Sequence, residues 1–328
     1  MHMTTSYLHT YYHTVLIILL LLSTRCKSFT TTLKNNKHII HHHHTSLPSM
    51  ITTSDTNNMM KEVVVDIGIN LTNKAFKSHW REVVQRAINS GVTRMLLTGT
   101  CIKTSKESLQ IAQEWLDETK TPNLYATIGI HPHDAKTFDD TTSINEMKEM
   151  LQHPLAVAVG ECGLDYNRNF SSPDDQRRAF REQIKLAVEL NKPLFVHERE
   201  AHSDLIKVFD EVKEEVDEDL PPIVVHCFTG EKEEALEYIN RGYYIGFTGT
   251  ICKKERGAPL RELLPSLPLE KIMVETDAPY MSFKRKKRSS EPADCIDVAR
   301  KLAEVFNVSS SEVCEQTTTN AINFFGIE

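Results

Sequence analysis

From Val63 onward, short apolar runs rich in β-branched residues alternate with longer stretches in which apolar residues recur every three or four positions. The short runs are VVVDIGI (63–69), RMLLTGT (94–100), LYATIGI (124–130), AVAVGE (156–161), PLFVH (193–197), PIVVHCF (222–228), YYIGFTG (243–249) and KIMVETDAP (271–279). Between them the spacing predicts helices over 75–90, 105–118, 142–152, from Ser172 onward, 204–216, 232–240 and 259–264. Two more, over 292–306 and 309–324, complete the chain. Gly91 is a natural helix stop, and Ser172-Pro173-Asp174-Asp175 places a capping hydroxyl, a proline and two acids at a helix start. Phe180, Ile184, Ala187 and Val188 then give that helix one apolar face. Eight strands, each followed by a helix, predict an α/β fold of the (β/α)8 barrel type. An open doubly wound sheet is the alternative; the strand count and the many polar residues at strand ends favour the barrel.

Residues 1 to about 60 have a different composition, and the predicted barrel domain is 61–328. The first acidic residue is Asp55, and eight of the fifteen histidines precede position 45, four of them as the run His41 to His44. Val15 to Leu22 is an unbroken apolar run, too short to span a bilayer as a helix. With the Ser/Thr/Lys-rich tract behind it, it resembles the core of a secretory signal followed by a transit-like segment, although no Lys or Arg precedes it. Organelle or secretory targeting is therefore expected; the alternative is a disordered extension before a start at Met59 or Met60, giving a cytoplasmic protein. The histidine run reads as low-complexity sequence. With 38 basic and 45 acidic side chains, the net charge of −7 does not fit a nonspecific nucleic-acid coat, but leaves room for a local basic patch. Seven cysteines without a CxxC spacing argue against a disulfide framework and against a cysteine zinc site. Nothing in the folded part reads as a stable membrane association or as a protein-docking segment.

In a barrel the C-terminal strand ends converge on one rim. The polar residues there are Asp66 and Asn70 at strand one, His131 after strand three, Glu161 at four, His197 at five, His226 at six and Asp277 at eight. A lone histidine at a strand end is most often a hydrogen-bonded core residue. Two at successive ends, flanked by acids at neighbouring ones, form a donor set for a hard or borderline divalent cation such as Mg²⁺, Mn²⁺ or Zn²⁺. Such an ion supports hydrolysis by acidifying water and polarising a phosphoryl or carbonyl oxygen, while a carboxylate handles the proton.

DIGINLT (66–72), GIHPHD (129–134), GECGLDYNRNF (160–170), VHCFTG (225–230) and VETDAPY (274–280) together resemble the TatD-type deoxyribonucleases, barrel enzymes of the metal-dependent hydrolase superfamily. The resemblance covers Val63 to Glu328 and implies a divalent-metal-dependent DNase, typically a 3′ to 5′ exonuclease on single-stranded or damaged DNA. Magnesium is the expected ion. By that resemblance Glu161, His197 and His226 are metal ligands, and Asp277 is a ligand or the catalytic acid/base beside Glu161. Asn70 stands as a further ligand, in a Gly68-x-Asn70 pair where many relatives carry His-x-His. This departure predicts one strong ion site and a weaker second one. Glu200, where Asp is usual, is expected to disturb a hydrogen bond to a ligand; Ser290, where Asn is usual, is expected to matter little.

Lys284, Arg285, Lys286, Lys287 and Arg288 follow strand eight and suit a DNA backbone; a solvated or localisation-type basic run is the alternative. Arg199 and His131 are further candidates for phosphate contact. Phe170, Phe228 and Phe283 read first as packing residues and second as base-stacking ones. Two other readings remain beside the DNase: a deacylase of the same superfamily acting on aminoacylated tRNA, and a barrel that has lost catalysis and binds nucleic acid as a scaffold.

Overall fold

The computed structural model describes residues 62–284 and 289–328. The leader-like segment, with its targeting reading, and the four cations 285–288 lie outside the described residues. The strands are β1 (Val64–Ile69), β2 (Val92–Leu97), β3 (Leu124–Ile128), β4 (Ala156–Asp165), β5 (Leu194–Arg199), β6 (Ile223–Val225), β7 (Tyr244–Phe247) and β8 (Ile272–Val274). They pair in sequential order, every pair parallel. Beyond β8 the chain closes the ring on β1: Asp277 donates its amide to the Gly68 carbonyl and Asn70 its amide to the Ala278 carbonyl, both at 2.8 Å. The predicted (β/α)8 barrel is the observed fold.

The helices are α1 (Trp80–Ser90), α2 (Ile102–Thr119), α3 (Thr142–Met150), α4 (Pro173–Leu190), α5 (His202–Val216), α6 (Lys232–Asn240), α7 (Ala258–Leu263), α8 (Cys295–Phe306) and α9 (Ser310–Phe325). Among the described residues no helix is long and apolar enough to cross a membrane. The expected α1 starts five residues late. Asn73 bonds the Ala75 amide through its own side chain, a local turn that competes with helix over 71–79. α4 begins as its sequence predicts: Ser172 Oγ accepts the Asp175 amide, and Phe180, Ile184 and Ala187 are fully buried.

Two glutamines on the buried face of α4 tie it to the rim. Gln183 accepts the Ile130 amide (2.8 Å) and donates to the Ile130 carbonyl (3.1 Å), fixing the exit of β3 just before His131. Gln176 does the same for Asp165 at the end of β4, at 2.8 and 3.1 Å. Buried backbone groups need such partners, and here they set where the rim residues stand.

Asp66 belongs to the frame rather than to the cavity. Its carboxylate accepts the Thr276 amide (2.9 Å), the Thr276 hydroxyl (2.6 Å) and the Gly68 amide (3.3 Å), clasping the seam between β1 and β8. Asp66→Ala is expected to lower unfolding free energy by about 3 kcal/mol, because it leaves buried donors unpaired. Urea titration measures this, and a loss below about 1 kcal/mol would contradict the clasp.

Candidate metal centre

The strand ends surround a cavity of about 550 Å³ whose lining includes Asn70, His131, Glu161, His197, His226 and Asp277. Backbone bonds to neighbouring strand ends place three of them. Glu161 donates its amide to the Gly99 carbonyl (2.8 Å), His131 to Thr100 (2.9 Å) and His226 to Val196 (2.9 Å). β4 approaches β5 closely at Gly163, which has φ +133°; a Cβ there would lie 1.9 Å from the His197 carbonyl oxygen. Only glycine permits both that dihedral and that approach.

Glu161 is the hub. Its Oε1 lies 2.9 Å from His226 Nε2, 3.0 Å from His197 Nδ1 and 3.2 Å from His131 Nε2. Ligand atoms of His131, Glu161 and His197 all lie within 4.8 Å of one another, and His226 joins them through Glu161. The outer nitrogens of two rings meet carboxylates: His226 Nδ1 faces Glu275 Oε2 at 3.2 Å and His197 Nε2 faces Asp165 Oδ2 at 3.3 Å. A carboxylate behind an imidazole fixes its tautomer and leaves the opposite nitrogen as a lone-pair donor. His131 is built differently. Its Nδ1 accepts the His133 amide at 3.0 Å, so a neutral ring carries its proton on Nε2, facing Glu161. That makes His131 a hydrogen-bond donor to the cavity despite its place in the cluster.

The electrostatics fit a cation. Burial opposes ionisation of Glu161 but is outweighed by the surrounding imidazoles, above all His131 and His226, which hold its carboxyl well below the usual range. Burial likewise disfavours the charged His226, yet Glu161 and Glu275 raise its pKa well above normal. Protons on the imidazoles thus balance the acids where a divalent ion would otherwise do so, and binding such an ion would release them. Asp277, across the cavity, is pushed up to about 7 by burial; Asn70 Nδ2 donates to its Oδ1 at 2.9 Å. The residues present suit a hard or borderline divalent ion.

Asn70 spends its amide nitrogen on Asp277 and on the Ala278 carbonyl (3.3 Å), leaving its oxygen as the atom a cation can use. Arg199 is exposed, lines the cavity and makes no ion pair among the described residues. Lys284 does not line the cavity. Its ammonium lies 2.7 Å from Asp294 and 2.8 Å from Asp297, acids at the start of α8. Glu200 does not line the cavity either: it accepts a hydrogen bond from Asn167. Phe228 is buried and Phe283 packs over Gly249, while Phe170 stands exposed. Sequence reasoning missed Glu275, and it gave no role to Asp165, His133, Arg168 or Tyr280, all four of which line the cavity. A visible signal for Glu275 was an acid set directly after the apolar run IMV, with Gly68 and Gly246 in the two flanking strands.

A parallel eight-stranded barrel with imidazoles and carboxylates gathered at its C-terminal rim defines the class of metal-dependent barrel hydrolases. The profile of the TatD-related DNases matches residues 65–326. The 3′-5′ ssDNA/RNA exonuclease TatD of Escherichia fergusonii is 40% identical over 267 residues, which is 80% of this chain and 98% of that one. YjjV, a TatD homologue from Escherichia coli, superposes with a TM-score of 0.73 at 27% identity, covering 82% of this chain and 100% of its own. A hydrolase TatD family protein from Entamoeba histolytica gives 0.71 at 26% identity, over 81% and 99%. The chain belongs to the TatD-related DNase family.

Proposed function

We propose that this chain is a magnesium-dependent exonuclease that removes nucleotides from the 3′ end of single-stranded or damaged DNA. The observation that carries the reading is the pair of carboxylate-backed imidazoles, His197 on Asp165 and His226 on Glu275, each turning its other nitrogen to Glu161. His197, His226 and Glu161 would hold the ion, together with Asp277 and the Asn70 oxygen. The chemistry a divalent ion would supply when bound there is a lowered pKa for water and polarisation of a phosphoryl oxygen. Asp277, whose Oδ1 accepts from Asn70, would accept the proton of the attacking water. His131 donates from Nε2 to a phosphate oxygen, and Arg168 and Arg199 neutralise the strand's backbone at the rim. Similarity to relatives named for ssDNA/RNA exonuclease activity supports a nucleic-acid end over an acylated tRNA, and extends the expected substrates to single-stranded RNA. Intact ligand geometry disfavours the scaffold.

The purified chain, given 3′-labelled single-stranded DNA or RNA, is expected to release mononucleotides with Mg²⁺ and to stop when a chelator is added. The Asp277→Asn variant should bind the oligonucleotide and turn it over about 10²-fold or more slowly. Chelator-insensitive release would refute the metal mechanism. Turnover of aminoacylated tRNA with no nucleotide release would install the deacylase in its place.

A further inference from the structure

Among the described residues, the large apolar side chains standing more than half in solvent are Phe170 (54% exposed) and Tyr280 (53%). Isolated exposed hydrophobes are ordinary on a protein surface, but these two share one location. Tyr280 lines the strand-end cavity. Phe170 stands edge-on to His133, another lining residue, with 4.7 Å between ring centroids. Tyr280 follows β8 and Phe170 follows β4. In a sequential ring of eight strands those elements are four apart, so their loops face each other across the mouth.

Both rings are held in place. Tyr280 accepts a hydrogen bond on its hydroxyl from Asn73 Nδ2 (3.0 Å), and its amide bonds the Asp277 carbonyl (2.8 Å). The Phe170 carbonyl accepts from Lys136 Nζ (3.2 Å), and the Arg168 guanidinium lies 6.0 Å from its ring centre. Each ring also sits on a short tether from a site carboxylate, Asp277 or Asp165. The side chains lining the cavity are mostly polar and include the ion-binding cluster.

We infer that Phe170 and Tyr280 are stacking platforms for the two bases on either side of the scissile phosphate, one base to each ring. The inference rests on the nuclease reading and adds to it the means by which the site selects its end. A phosphate seated between opposed rings requires its two flanking bases to point apart. Unpaired bases can be splayed in this way and laid on aromatic faces, whereas bases in a duplex are held by their partners and their stack.

The test reads binding in chelator, where no bond is broken, with oligonucleotides carrying 2-aminopurine at the 3′-terminal or the penultimate position. Stacking on a ring quenches that fluorophore. The full chain is expected to quench both positions. Tyr280→Ala should abolish the quench at one position and Phe170→Ala at the other, each raising Kd about 5- to 100-fold. Tyr280→Phe and Phe170→Tyr keep a ring and should keep the quench. With an abasic residue at the matching position, the alanine variant should bind no worse than the wild type. Absence of quenching at both positions in the wild type overturns the inference, as does a loss of affinity that is equal with and without the base. Nucleotide release with Mg²⁺ restored is scored separately. Release without quenching removes the platforms and keeps the nuclease; quenching without release does the reverse.

Discussion

Glu161→Gln is expected to abolish divalent-ion binding and to lower phosphodiester hydrolysis by on the order of a thousandfold or more. The substitution keeps the side chain's shape and removes its charge. One oxygen of Glu161 lies 2.9, 3.0 and 3.2 Å from three imidazole nitrogens, and among the described residues no other carboxylate bridges all three. A neutral amide leaves His197 and His226 to hold a cation without an anionic partner, and its NH2 group, a donor, competes for the same lone pairs. Titration calorimetry with Mn²⁺ measures the first effect, and release from a 3′-labelled single strand measures the second. Chelator-sensitive hydrolysis retained within about tenfold would show that the ion sits elsewhere in the cavity.

The hub is legible in the sequence because it sits where two simple patterns cross. Apolar β-branched runs give the strands, and the first polar residue past each run gives the rim; Glu161, His197 and His226 all follow from that. Less legible was where a strand stops being a strand. The runs PIVVHCF and KIMVETDAP continue the apolar character beyond the ladders of β6 and β8, which end at Val225 and Val274. Cys227 and Asp277 take positive φ (both 50°) just past those ladders, and both line the cavity. Hydrophobic periodicity carries no information on such turns. Lys284 shows a second limit. Its position after strand eight is visible, but its pairing with Asp294 and Asp297 is a tertiary contact, and it spends on the protein a charge that the sequence offers to a substrate. Asp66 fails as a rim residue for a related reason: alternation gives the face of a strand, and the hydrogen bonds to Thr276 decide whether that face meets solvent or seals a seam.

Glu275→Ala is expected to cost about 3–5 kcal/mol of stability, the penalty for leaving one member of a buried charged pair alone. The carboxylate is fully buried between β7 and β1. One oxygen faces His226 Nδ1 at 3.2 Å and the other accepts the Cys227 amide. Gly68 and Gly246 make the room, since a Cβ at either would lie 2.5 Å from a Glu275 oxygen. A side chain at 68 would press on the group that orients His226. With Glu275 gone, the His226 ring keeps its stacking on Phe195 (4.3 Å, 29°), a tilted contact with His197 (5.9 Å) and its contact with Glu161, none of which engages Nδ1 as a carboxylate does. Its tautomer is then unfixed, and metal affinity is expected to fall about 10- to 100-fold. Glu275→Gln separates the two consequences. It fills the space and can still accept the Cys227 amide, so most of the thermal stability should return, while the weakened metal affinity should persist because a neutral amide no longer balances the imidazole. Gly68→Ala should reproduce the loss of affinity by pushing the carboxylate aside. Melting curves and Mn²⁺ titrations on the three variants decide the matter: a Glu275→Ala variant as stable as the wild type, with unchanged affinity, would leave the orientation of His226 to its other contacts.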